Sequence, residues 1–167
     1  NRTAEELESA YAAVAQRVVR AVDIPVAVKM PLRLTNFLAV AERLRAYGIR
    51  GAVLFNRFFE PDIDIENLRF TAGAPFSEPS ELRNVLRSAA LCAAGVPQLD
   101  LAVSTGVHDG PAAVKALLCG ASAVEICTAI HRRGYGAIAE MNRFLDEWAA
   151  RHGFASLNEF RGRLRAT

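Results

Sequence analysis

Four apolar runs in this chain each end in polar residues whose types suggest chemistry. VAVKM at 26–30 carries Lys29, and GAVLFN at 51–56 closes on Asn56 with Arg57 next. LDLAV at 99–103 runs into Ser104, Thr105 and Gly106, and AVEIC at 123–127 ends on Cys127 with Thr128 following. An ammonium attracts anions, a carboxamide both donates and accepts, and hydroxyls and unpaired backbone N–H groups donate. The stretch from Leu101 to Ala129 concentrates these features. Two strand ends would lie side by side there, with a helix starting near Pro111 and stopping at Gly120. Free amides beside a helix N-terminus form a natural cradle for a phosphate dianion.

Other groupings are weaker. Ser104, His108 and Asp109 invite a catalytic-triad reading, but crowded on one turn they have no separate scaffold to orient a base. His108 reads instead as a polar loop or helix-start residue. Asp62, Asp64 and Glu66 alternate with Ile63 and Ile65, which suits a short strand with one wet face better than a metal site. No metal is expected. His131, Arg132 and Arg133 follow the Cys-Thr turn and can add positive charge near a phosphate, although a solvated loop is the default for such a run. Cys92, Cys119 and Cys127 lack close metal spacing and sit in apolar runs, so they are expected to be reduced, buried thiols.

These residues need elements to hold them. Thr3 with Glu6 is a capping box, followed by Leu7, Tyr11, Val14, Val18 and Val22 at helical spacing. VAVKM is expected as a strand buried on both faces apart from its lysine. Thr35 can cap a second helix containing Phe37, Leu38, Ala41 and Leu44, with Gly48 as its stop. From Arg57 to Ser77 periodicity fails, a long excursion of the sort that carries function, with Gly73 inside it. Pro79 opens a third helix that runs to Gly95. A fourth full helix, about Ala137 to His152, is expected to bury Ile138, Met141, Leu145 and Trp148, and Ser156 with Glu159 caps a short terminal one.

Composition narrows the options. At 167 residues and 51% hydrophobic, the chain can form one domain with a core. Twenty basic residues against 18 acidic, mixed throughout, give a net charge of +2 and no long-range field of the kind nucleic-acid binders use. No apolar run is long enough to span a membrane, and no secretory leader is evident. A cytoplasmic protein acting on a small molecule is the expectation. The chain opens at Asn1 directly in a helical pattern, which suggests a piece of something longer.

The order, a helix and then four strand–helix units, argues for an α/β fold with a parallel sheet. An open doubly wound sheet would carry a glycine-rich turn after the first strand, and MPLRLTN has none. In a barrel, function spreads over the C-terminal ends of several strands, where Lys29, Asn56, Ser104–Gly106 and Cys127–Thr128 all fall. The predicted fold is therefore half of a (β/α)8 TIM barrel, a single partial domain over residues 1–167.

VAVKM, LFNRF, SEPSELR, VSTGVHDGPAAVKALLCGASAVEICTAI and HGFASLNEFRG, taken together and in this order, resemble the C-terminal half of dihydroorotate dehydrogenase. They are most similar to its divergent dihydroorotate dehydrogenase-like branch. The resemblance implies an FMN-dependent TIM barrel that oxidises dihydroorotate, or a related dihydropyrimidine, in pyrimidine biosynthesis. It places Lys29 beside the N1/C2 edge of the flavin, where a fixed cation favours the negative charge left by an arriving hydride. It places Asn56 on the pyrimidine substrate. Arg57 stands where the family has a small hydroxyl residue, and it can bind a carboxylate bidentately. Ser104, Thr105, Gly106, Cys127 and Thr128 fall on the FMN phosphate site, with Thr105 and Cys127 in place of glycines.

The family's catalytic base, a cysteine or serine on a mobile loop, belongs to the N-terminal half, so none of the three cysteines is assigned that role. A half barrel exposes two strand edges and part of its core. The chain is thus expected to be completed by its missing N-terminal half or by a second chain, and to form a homo-oligomer. Two other functions fit the same cradle: a flavin-free phosphate-binding lyase or isomerase, and a non-catalytic half-barrel scaffold.

Overall fold

The computed structural model describes residues 2–57 and 60–164. Phe58 of the LFNRF motif lies outside them. Helix α1 (Ala4–Ala21) opens on the expected capping box, with the Glu6 N–H donating to Thr3 and the Thr3 N–H to Glu6. Strand β1 (Ala27–Pro31) and helix α2 (Phe37–Ala46) follow. The α2 cap is Asn36, not the predicted Thr35: the Ala39 N–H donates to its Oδ1 at 3.1 Å. Asparagine is at least as good an N-cap as threonine, and one residue's shift in chain direction decided between them.

Strand β2 (Gly51–Asn56) leads into the excursion, which holds the short strand expected from the alternation of Asp62 and Asp64 with Ile63, and a second strand that was not expected. Strands β3 (Pro61–Asp64) and β4 (Arg69–Ala72) pair as an antiparallel hairpin, largely exposed on both faces. The expected dry face is absent, since Ile63 is 61% exposed, and Ile65 and Glu66 fall in the turn between the two strands. A 3-10 turn (Pro79–Glu81) then starts helix α3 (Leu82–Gly95). Next come strand β5 (Asp100–Val103), helix α4 (Gly110–Leu118), strand β6 (Ala123–Val124), helix α5 (Thr128–Arg133) and helix α6 (Gly136–Arg151).

The result is a mixed α/β fold whose main sheet is fully parallel, in the order β1-β2-β5-β6. Its core contains Met30, Leu44, Leu54, Val85, Cys92, Leu101 and Val103. Three expectations need correction. β1 is an edge strand, so Ala27 and Lys29 are exposed and the run is not buried on both faces. The AVEIC run supplies only two strand residues, although the Glu125 N–H still reaches the Val103 carbonyl at 2.8 Å. The apolar stripe of α1 is split: Tyr11 packs on the core, but Leu7 is 54% exposed and Val14 61%, and the buried positions are Ala12 and Ala15.

In α6, Ala137 and Met141 are buried but Ile138 is exposed, and Leu145 and Trp148 are half-buried. This helix packs closely on α4, where a Cβ on Gly110 would lie 2.3 Å from the Phe144 ring. Ser156 makes no cap bond to its 3-10 turn (Leu157–Glu159); Glu159 reaches back to the Ala155 N–H instead. Beyond that turn Phe160 is fully buried against Trp148 and Phe154. The N–H groups of Gly162 and Leu164 donate to the last carbonyls of α4, Leu117 and Leu118, both at 2.9 Å.

Candidate functional site

The C-terminal ends of the parallel strands open onto a cavity of about 520 Å³. Its lining includes Lys29 from β1, Asn56 and Arg57 from the end of β2, Ser104, Thr105 and Gly106 after β5, and Cys127 and Thr128 at the start of α5. All eight residues singled out in the sequence therefore share one cavity. The excursion returns to it with Phe76 and Ser77, and Glu125 adds a carboxylate. A neighbouring cavity of about 500 Å³ shares Asn56, Arg57 and Thr105 and extends toward Arg33, Glu60, Gly73 and Asn84.

The Lys29 Nζ lies 2.8 Å from Glu125 Oε2, so the ammonium is ion-paired. Lys29, Val53, Ala102 and Ala123 are in register across the sheet, and Glu125 lies two residues beyond Ala123. Three strand spacings of about 4.8 Å would hold the outer strands about 14 Å apart in a flat sheet. Both long side chains must therefore reach across the middle of the sheet to meet. The lysine and glutamate bridge over the small side chains of Val53 and Ala102.

Arg57 is also committed. Its Nε donates to Glu81 Oε2 at 3.0 Å, and Nη1 donates to the Ala74 carbonyl at 2.8 Å. Burial pushes the Glu81 carboxyl up, but hydrogen bonds from Arg57 and the Glu78 N–H and the charges of Arg57 and His108 outweigh it. The group sits below the usual glutamate range. The bidentate carboxylate capture expected of Arg57 is thus already performed on an internal carboxylate.

The turn after β5 has an unusual backbone. Thr105 and Gly106 have φ of +78° and +79°, both in the left-handed region that favours glycine. A Cβ on Gly106 would meet the Leu82 nitrogen at 2.4 Å, so close packing on α3 demands glycine there whatever is bound. Thr105 adopts the same conformation with a side chain. Among the described residues, the N–H groups of Thr105, Gly106, Cys127 and Thr128 have no backbone acceptor.

The helix in the predicted cradle is not α4. Asp109 caps α4, accepting from the Ala112 N–H at 2.9 Å, and its carboxylate already answers that helix terminus. This also removes Asp109 from any triad, and the His108 ring bonds to Ser77 rather than Ser104. Nor are the basic residues after Thr128 free. His131 stacks on Phe76, Arg132 pairs with Glu78 at 3.0 Å, and Arg133 pairs with Glu140 at 2.8 Å while also contacting the His108 carbonyl.

Of the cysteines, Cys92 is fully buried, and burial pushes its thiol up to about 11. Cys119 is half-buried and also raised by burial, whereas Cys127 is exposed, contrary to expectation. Among the described residues no group of three or more His, Cys, Asp and Glu is placed to hold a metal. No described helix is long and apolar enough to cross a membrane.

Sequence reasoning missed Ser77, Glu81 and Glu125. Glu125 stood inside an apparent strand and Glu81 in a helix start, and nothing local to Ser77 marked it.

A parallel α/β sheet with a polar cavity at the strand C-termini is an arrangement that suits small-molecule ligands. No family model matches the chain. It is 34% identical over 93 residues to a putative dihydroorotate dehydrogenase A (fumarate) of Streptococcus pyogenes serotype M5 (strain Manfredo), covering 56% of this chain and 29% of that protein. It is 36% identical over 69 residues to a probable dihydroorotate dehydrogenase A (fumarate) of Streptococcus pneumoniae (strain ATCC BAA-255 / R6), covering 41% and 22%. With dihydroorotate dehydrogenase A (fumarate) of Lactococcus lactis subsp. cremoris (strain MG1363), identity is 25% over 154 residues, covering 85% of this chain and 49% of that protein. The chain is therefore similar to oxidoreductases named for dihydroorotate, and it matches about half of their length or less.

Proposed function

We propose that this chain is the FMN-binding part of a cytoplasmic oxidoreductase resembling dihydroorotate dehydrogenase, acting on dihydroorotate or a related dihydropyrimidine in pyrimidine biosynthesis. The observation that carries this reading is the convergence of Lys29, Asn56, the Ser104–Gly106 turn and Cys127–Thr128 on one cavity. Similarity to relatives of that name supplies the reaction class.

The residues present fit the cofactor. The cavity lies within the roughly 300–1,000 Å³ range of small-molecule sites. It offers unpaired N–H groups and the hydroxyls of Ser104, Thr105 and Thr128 for a phosphate, and a cation for a ring that becomes negative. FMN, when bound, accepts the hydride. Lys29 holds positive charge in the cavity, and Glu125 fixes where its ammonium sits. Asn56 presents a carboxamide that can both donate to and accept from a pyrimidine edge. Arg57 is held by Glu81, so the wall beside Asn56 offers a substrate a neutralised guanidinium, not a free cation.

On this reading the four strand–helix units are half of a (β/α)8 barrel. The fully parallel sheet and the half-length match support that, and the rest of the polypeptide or a second chain supplies the other half and the catalytic base. The test is to incubate the purified chain with FMN and measure quenching of flavin fluorescence. Saturable binding weakened by Lys29→Ala is expected; absence of flavin binding by the chain joined to its other half would overturn the proposal.

A further inference from the structure

Ser77 and His108, which have no role above, form a hydrogen-bonded group with Thr128. Ser77 comes from the end of the excursion, His108 from the turn before α4, and Thr128 from the start of α5. Ser77 and Thr128 are only 7% and 5% exposed, yet both line the large cavity. The Ser77 N–H donates to Thr128 Oγ1 at 3.2 Å. The two hydroxyl oxygens are 3.1 Å apart, and Ser77 Oγ lies 3.0 Å from His108 Nε2.

Counting hydrogens gives this group two states. When Nε2 accepts, the Ser77 hydrogen goes to the imidazole and the Thr128 hydrogen goes to Ser77, leaving nothing for a ligand. When Nε2 carries a proton it donates to Ser77, Ser77 donates to Thr128, and the Thr128 hydroxyl hydrogen is released toward the cavity. An imidazolium can only donate, so protonation of His108 abolishes the first state, favours the second, in which the Ser77 hydrogen keeps a partner, and brings a positive charge.

We infer that Ser77, Thr128 and His108 form a reversible donor relay for a phosphate group, in which His108 is the positioning residue that decides whether Thr128 can donate. This rests on the phosphate reading of the cavity and adds Ser77 and His108 to it. The charged groups around His108 are Glu81, whose carboxyl responds to the His108 charge, Arg57 on the far side of Glu81, and Arg133 at the His108 carbonyl. Asp109 is committed to the α4 terminus, Glu78 to Arg132, and His131 stacks on Phe76 next to Ser77.

The experiment compares FMN with riboflavin, which lacks the phosphate, for the full chain from about pH 6 to 8, where a histidine can change charge. The phosphate monoester titrates in the same range, so each variant is read as its ratio to wild type at the same pH, which cancels the ligand's own protonation. Thr128→Val should weaken FMN about 10-fold or more, the scale of a hydrogen bond to a charged group, with riboflavin unchanged. Ser77→Ala and His108→Gln should flatten the pH dependence seen in wild type. Riboflavin binding serves as the control for folding. Identical pH profiles for wild type and both variants would overturn the relay.

A second measurement needs neither flavin nor a variant. Adding inorganic phosphate to the wild-type chain should move the His108 ring nitrogen resonances toward the form protonated at Nε2. If the chain joined to its other half binds neither flavin, the FMN reading fails while this shift still decides the relay. No change in those resonances on adding phosphate overturns it.

Discussion

Lys29 and Glu125 are separated by the whole width of the parallel sheet, yet their charged groups touch at 2.8 Å inside the cavity. The cation proposed to serve a flavin ring is thus shared with a protein carboxylate. Both side chains are about 45% exposed, so the pair itself stabilises the fold by at most about 1 kcal/mol. Its effect should be felt in the ligand. Glu125→Gln is expected to raise the midpoint potential of bound FMN, because an unshared ammonium favours the reduced, more negative ring, and Lys29→Ala should lower it. Spectroelectrochemical titration of the two variants checks both signs, while thermal midpoints should barely move.

The turn at Thr105 and Gly106 makes opposite predictions for adjacent residues. A non-glycine residue in the left-handed region costs about 1–2 kcal/mol, offset in part by the extra chain entropy of glycine. Thr105→Gly should therefore stabilise the chain by up to about 1 kcal/mol. Gly106→Ala should destabilise it by about 3 kcal/mol or more, since the new methyl meets the Leu82 backbone in addition to the φ penalty. Urea denaturation of the two single variants measures the contrast.

Glu81 ties stability to pH. Its carboxyl lies below its ordinary range in the folded chain, so its contribution is fully present above the usual carboxylate value and is lost as pH falls through the depressed one. Glu81→Gln should cost about 1 kcal/mol at neutral pH and lose less than wild type on acidification, because the group that titrates is gone. Urea midpoints at pH 7 and pH 3 give the comparison. Equal acid losses in the two proteins would place the sensitivity elsewhere.

Thiol labelling should separate the cysteines. Cys92 is fully buried with its thiol pushed up to about 11, so little thiolate forms at neutral pH. Cys127 is exposed in the cavity lining and should react first with a maleimide or aromatic disulfide. Mass mapping should find Cys92 modified only after denaturation. Bound FMN should protect Cys127 if the cavity holds its phosphate.

The outward valines of α1 predict association. Leu7, Val14 and Val18 form an apolar row, and the parallel sheet ends at β1 in an edge strand with exposed Ala27 and Lys29. Light scattering of the isolated chain should report a mass above 18.1 kDa, reduced toward it by Val14→Lys with Val18→Lys. A monodisperse monomer would show that this row needs no cover.

Much of this was legible from residue types. Capping at Thr3, the glycine stop at Gly48 and the apolar runs located most elements, because each leaves a local signal. The clustering of Lys29, Asn56, Ser104 and Thr128 was legible as well, since parallel strands bring all their C-terminal ends to one side. What escaped was whatever depended on a distant partner. The pairing of Lys29 with Glu125, of Arg57 with Glu81 and of Ser77 with His108 and Thr128 joins residues 24 to 96 positions apart, with no spacing rule between them. The outward face of α1 escaped for a related reason. Periodicity marks an apolar stripe without saying whether its partner belongs to the same compact body.

The last described turn closes on α4: Phe160 is buried, and the Gly162 and Leu164 amides donate to the carbonyls of Leu117 and Leu118. At its other end α4 is continuous with the turn that carries Thr105, Gly106 and His108. A proteolytic cut just before Phe160 would therefore act remotely, freeing the two carbonyls that anchor α4 and loosening the footing of the cavity wall. On the proposed reading, FMN affinity becomes a reporter of damage to a segment outside the cavity lining.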